Sequence, residues 1–172
     1  MPFIKSISGF RGTIGGSVGD NLTPVDIVEC SAAYGEWLKT KHKGQLKVIL
    51  GRDGRISGPM VGAIVTQTLI ALGIDVIDLG LSTTPTVEVA VPMEDAHGGI
   101  ILTASHNPKE YNALKLLNEK GEFISAEDGS NLLAIADSRD FNFASVDDLG
   151  TYSTDDTYIQ KHIDAVNALP YV

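Results

Sequence analysis

At 172 residues and 43% hydrophobic content, the chain is the size of one domain and can bury a real core. Its net charge of -9, with only 13 Lys and Arg and those scattered, excludes a nucleic-acid surface, which needs clustered cations. No apolar run approaches the roughly 20 residues of a membrane span, and the first residues lack the basic and apolar segments of a secretory signal, so the expectation is a soluble, cytoplasmic protein with no membrane partner. The single cysteine, Cys30, sits among apolar neighbours and reads as a buried structural thiol. The four histidines (His42, His97, His106, His162) fall at no zinc-site spacing.

The chain opens on a Gly-rich segment, Ser8 to Gly19. Thr23 then supplies a helix cap, with Pro24 in the first turn and Asp26 three residues past the cap. Ile27, Cys30, Tyr34, Trp37 and Leu38 form the apolar face. Leu46 to Leu50 reads as a buried strand ending in the loop Gly51-Arg52-Asp53-Gly54-Arg55-Ile56-Ser57-Gly58. Val61, Ile64, Val65, Thr68, Leu69 and Leu72 mark a second helix, stopped at Gly73. Asp75 to Gly80 is a second strand, followed by a short helix that starts near Thr83, Thr84 and Pro85 and should end at Pro92. Gly98 to Thr103 is a third strand, and its continuous apolar centre fits a position covered on both faces.

Ala113 to Leu117 and Phe123 to Ser125 flank a short Gly-containing connection, a hairpin pattern that makes the sheet mixed. A helix from Ala126 to Asp137 follows, then a polar Asp- and Ser-rich linker, then a last helical pattern from Thr154 to Leu169. Alternating strands and helices predict an α/β fold: a three-layer α/β/α sandwich around a mixed, mainly parallel sheet. The expected division is one domain over 1–150 and a linker and helix over 151–172.

In such sheets, ligands collect beyond the carboxyl ends of the strands. The third strand delivers the chain to Thr103-Ala104-Ser105-His106-Asn107-Pro108, where Pro108 fixes its own φ and restrains Asn107. As a lone Ser-His pair this reads as an ordinary polar turn. The full string changes that reading. It resembles the active-site signature of the phosphohexomutases, the phosphoglucomutases, phosphomannomutases and phosphoglucosamine mutases. Ser8-Gly9-Phe10-Arg11-Gly12-Thr13 is similar to the family's N-terminal element, the 51–58 loop to its Gly-Arg-Asp-x-Arg-x-Ser-Gly loop, and Tyr111-Asn112-Ala113-Leu114-Lys115 to its Tyr-Asn-Gly-x-Lys segment. Two positions depart: Ala113 stands where Gly is usual, and Gly54 where Thr or Ala is common.

The resemblance implies an intramolecular phosphotransferase. Ser105 carries a phosphoryl group, gives it to one hydroxyl of a hexose or hexosamine phosphate, and recovers the other phosphate from the bisphosphorylated sugar. Lys115 then assists proton transfer or steadies the phosphoryl group, and Arg11 holds phosphate oxygens. His106 and Asn107 shape the loop or touch phosphate or substrate. Arg52, Asp53, Arg55 and Ser57 brace the loop through arginine-carboxylate hydrogen bonds. The implied cofactors are Mg2+, gripped by the phosphate on Ser105, and a hexose 1,6-bisphosphate activator.

The family's metal-binding Asp-Gly-Asp-x-Asp-Arg string is absent, and the pairs Asp147-Asp148 and Asp155-Asp156 read as solvated surface carboxylates. The expectation is therefore an N-terminal fragment, partnered in the parent enzyme by the remaining domains, that folds but does not turn over alone. Three rivals stand beside it. A serine hydrolase lacks its Gly-x-Ser-x-Gly elbow, and a nucleotide-binding module lacks its fingerprint. The third is a non-catalytic α/β interaction domain.

Overall fold

A computed structural model describes residues 3–6 and 9–170. Ser8, the first residue of the N-terminal motif, lies outside the described residues. The elements run β1 (Ile4–Ser6), β2 (Gly9–Thr13), α1 (Pro24–Lys41), β3 (Leu46–Arg52), α2 (Gly58–Ala71), β4 (Ile74–Leu81), α3 (Thr84–Met93), β5 (Gly98–Leu102), β6 (Tyr111–Leu117), α4 (Ala126–Ser138), β7 (Tyr152–Thr154) and α5 (Tyr158–Asn167).

The strands form one sheet in the order β1-β2-β6-β5-β3-β4-β7. Strands β5, β3, β4 and β7 are mutually parallel, β6 and β1 run the other way, and β2 returns to the majority direction. The sheet is thus mixed and mainly parallel, as the alternating pattern predicts. Helices α1, α2 and α4 cover one face over a core that includes Phe10, Tyr34, Trp37, Leu50, Ile100 and Leu114. Helices α3 and α5 cover part of the other, over Ile49, Val87, Ile101, Leu117 and Tyr158. No helix among the described residues is long and apolar enough to cross a membrane.

Local signals account for the helix starts. Thr23 and Asp26 form a reciprocal capping box at the head of α1, and the buried Asp26 carboxylate also accepts from the Gly19 amide at 2.9 Å, tying the preceding loop to the helix. Thr83 and Ser125 cap α3 and α4 more simply, each side chain accepting from the amide three residues on, Thr86 and Asp128. Pro92 falls inside the last turn of α3, which ends one residue later at Met93.

Three features differ from expectation. The Gly-rich N-terminal segment contains strand β2, which pairs along its length with β6, and β1 pairs with β2 from just before it. At Gly9, φ is +132° and an added Cβ would lie 2.1 Å from the Leu114 carbonyl oxygen, so the glycine is what lets β2 approach β6. The hairpin expected between Ala113 and Ser125 reduces to β6, one bridge between Leu117 and Phe123, and the turn between them. The segment from 151 onward, expected as linker and helix, packs on the domain: β7 adds a parallel edge strand to β4, and Tyr158 at the start of α5 is 2% exposed in the core beside α3.

Candidate functional site

The chain leaves β3 toward α2 on one face, leaves β4 toward α3 on the other, and so reverses direction across the sheet between β3 and β5. Loops 53–57 and 103–110 meet at this switch point, the usual ligand position of an open α/β sheet.

Ser105 sits in a four-residue turn closed by the Asn107 amide donating to the Ala104 carbonyl at 3.0 Å. Its φ is +54°, the left-handed region that a side-chain-bearing residue occupies at a cost of about 1–3 kcal/mol. Local and distant groups hold it there. The Ser105 amide donates to Thr103 Oγ1 at 3.0 Å, and the Asn107 side-chain amide donates to the Ala104 carbonyl at 2.8 Å.

Arg55 supplies the rest. Its Nη2 donates to the carbonyls of Ser105 (2.9 Å) and Asn107 (2.8 Å), its Nη1 to those of Pro108 (2.8 Å) and Tyr111 (2.9 Å), and its Nε to Asp53 Oδ2 (3.1 Å). Every N–H of the guanidinium is thereby used. The loop is clamped, and Ser105 remains exposed at its tip.

Strand register brings the other candidates to the same place. Phe10 and Leu114 face α1, so by alternation Arg11 and Lys115 project from the opposite face. Arg11 lies beside Ile4 and Ala113, and Lys115 beside Gly9 and Ile101. The helices of that face cover β3, β5 and the Leu117 end of β6 but leave β2 and the rest of β6 open. The result is a cleft of about 320 Å³ bordered by Arg11, Lys115, Ser105, His106, Asn107 and Ala113. Among the described residues no Asp or Glu borders it, although the chain has 22. Neither the Arg11 nor the His106 side chain makes a hydrogen bond or ion pair among the described residues, and Lys115 Nζ stands 5.9 Å from the Phe123 ring centre. The cleft therefore offers unneutralised cations and a hydroxyl, the complement of a phosphate group.

Of the residues singled out in the sequence, Ser105, Arg11, Lys115, His106 and Asn107 share the cleft, and Asp53 and Arg55 stand directly behind its loop. Ser57 reaches it indirectly, accepting from the fully buried Asn112 side chain at 2.9 Å. Arg52 is set apart. It makes one long contact, 3.4 Å to the Asp53 carbonyl, and lines a separate cavity beside α2. Thr103 and Asn112 were not singled out as site residues, although Thr103, two residues before Ser105, has the spacing of a hydroxyl-amide turn. Asn112 carries no such local signal. Of the departures, Ala113 fits as a buried wall of the cleft, and Gly54 has open space around it and no positive φ, so nothing there requires glycine.

The residues present do not fit a magnesium site by themselves. Among the described residues no group of three His, Cys, Asp or Glu could hold a metal, and the cleft offers a cation no carboxylate.

Residues 5–143 match the family model described as phosphoglucomutase/phosphomannomutase, alpha/beta/alpha domain I. The chain is 34% identical over 157 residues to a phosphoglucomutase/phosphomannomutase of Thermococcus kodakarensis, covering 90% of this chain and 34% of that protein. It is 37% identical over 108 residues to a phosphoglucosamine mutase of Alkaliphilus metalliredigens, covering 63% of this chain and 24% of that protein. The crystal structure of a phosphoglucomutase/phosphomannomutase family protein from Burkholderia thailandensis superposes with a TM-score of 0.78 at 25% identity, covering 96% of this chain and 36% of that one. The chain thus spans between a quarter and about a third of the length of these relatives. It belongs to the phosphoglucomutase/phosphomannomutase family and corresponds to that family's first α/β/α domain.

Proposed function

We propose that the chain is the phosphoryl-carrying domain of a mutase that moves a phosphoryl group between the 1- and 6-positions of a hexose or hexosamine phosphate. The observation that carries this reading is a serine in a clamped left-handed turn, facing a cleft with two cationic side chains and, among the described residues, no carboxylate. A sugar hydroxyl attacks the phosphorus of phosphorylated Ser105. The new P–O bond forms as the bond to Ser105 Oγ breaks, and the hydroxyl proton ends on that oxygen. Arg11 holds the non-transferring oxygens, and Lys115 steadies the phosphoryl group and relays the proton.

His106 and Asn107 shape the serine turn, and Arg55 with Asp53 keeps it from relaxing. The setting is cytoplasmic, where sugar phosphates are made and consumed. A divalent cation such as Mg2+ and a hexose 1,6-bisphosphate activator belong to the reading, with the missing metal ligands contributed by the parts of the relatives that this chain does not span. The hydrolase alternative finds no support in geometry, since no histidine hydrogen-bonds to Ser105 among the described residues.

The test is incubation with glucose 1,6-bisphosphate followed by intact-mass and peptide analysis, expected to map one added phosphoryl group to Ser105. In a protein of the relatives' full length, Ser105→Ala is expected to abolish interconversion of hexose phosphates. A variant as fast as its parent would end the proposal.

A further inference from the structure

Beyond the serine cleft, on the opposite face of the sheet, a cavity of about 340 Å³ lies between α2, the end of β3, and the β4–β7 edge. Two polar groups in it are unspent. Thr66, only 4% exposed and lining this cavity, has a hydroxyl with no hydrogen-bond partner among the described residues. A helical threonine ordinarily bonds back to the carbonyl four residues earlier, as Thr68 does to Ile64 at 2.8 Å; Thr66 does not.

Arg52 is the second. Its single contact, 3.4 Å to the Asp53 carbonyl, leaves most of the guanidinium unused, in contrast with the saturated Arg55 three residues on. Across the cavity Asp78 accepts from the Gly80 amide at 2.8 Å and from the Tyr152 hydroxyl at 3.1 Å, which orients the carboxylate and leaves it room for further donors. Leu50 and Ala63 supply apolar wall.

We infer that this cavity is a second ligand site, for a small polyhydroxylated anion about the size of one monosaccharide, with its acidic group on Arg52 and its hydroxyls on Thr66 and Asp78. A guanidinium with free paired donors selects a phosphate or carboxylate. A carboxylate and a hydroxyl opposite it select hydroxyl donors and acceptors, and a volume near the low end of small-molecule pockets excludes a polymer. The site shares no side chain with the serine cleft, so it stands or falls separately from the phosphoserine reading.

The test is an amide-shift titration of the 172-residue chain carrying Arg11→Gln and Lys115→Gln, which disarm the other cleft. Glucose 6-phosphate is expected to shift the Gly62, Thr66 and Gln67 amides saturably. Thr66→Val should weaken binding about fivefold, the loss of one neutral hydrogen bond, and Arg52→Gln about thirtyfold, the loss of a charged one. Because the Thr66 hydroxyl has no partner to lose, Thr66→Val should melt no lower than the parent. The inference is overturned if no such shifts occur, if they are confined to loop 103–108, if glucose or inorganic phosphate alone binds as well, or if both variants bind like the parent.

Discussion

Arg55 is the residue whose removal should reveal most about how the serine loop is held. Its side chain is 11% exposed and spends all five donors, four of them on the carbonyls of residues 105, 107, 108 and 111. Hydrogen bonds from a charged donor contribute about 1.5–3 kcal/mol each, but they do not add simply. Ser105 and Pro108 are exposed, so water replaces their lost bonds, whereas Asn107 and Tyr111 are half-buried and lose more.

On that basis Arg55→Ala should destabilise the domain by about 3–4 kcal/mol and lower its melting point by about 10 °C. Arg55→Lys should recover less than half, because one ammonium cannot span four carbonyls. Urea unfolding followed through Trp37, the chain's single tryptophan and 2% exposed, measures this directly. Arg55→Ala within about 0.5 kcal/mol of the parent, which is the scatter of neutral surface changes, would refute the clamp.

Other outcomes follow from the same structure. Gly9→Ala should fail to fold or lose several kcal/mol, since its Cβ would meet the Leu114 carbonyl, while Gly54→Ala, in open space, should gain about 0.4–1 kcal/mol; melting points compare them. His97 has its pKa lowered, first by burial and then by the neighbouring charges of His42 and Lys47, and its Nδ1 accepts the Lys47 amide at 3.1 Å. The unfolded chain therefore binds the extra proton more readily. The stability this group contributes is full above about pH 6.5 and falls as pH drops through its folded pKa, so melts at pH 7 and pH 5 should differ less in His97→Gln. Cys30, with its thiol pKa pushed up by burial, should resist a disulfide reagent until the chain is unfolded in urea. Lys115→Met should leave stability within about 0.5 kcal/mol while removing mutase activity from a full-length protein, which separates chemistry from folding.

Local chemistry was readable without coordinates. The capping residues Thr23, Thr83 and Ser125 act on amides within one turn, and the apolar runs of β3 and β5 announce burial on both faces, so the helix starts, the central strands and the α/β class were legible in the residues themselves. The string around Ser105 was legible for the same reason, as a short contiguous motif.

What the tertiary structure decided was every relation that closes over a long stretch of chain. Strand β2 looks like a glycine-rich loop because its stability comes from β6, about a hundred residues away, and β7 is too short and polar to announce itself. Arg52 and Arg55 differ by three positions and read alike. Yet one ends a strand and projects toward α2, while the other turns back to grip carbonyls 50 to 56 residues on. The bareness of the serine cleft, where no described residue brings a carboxylate although the chain is acidic, is likewise a property of which strands are neighbours and which face the helices leave open. Contacts of that kind depend on the path of the whole backbone, and no window of sequence contains them.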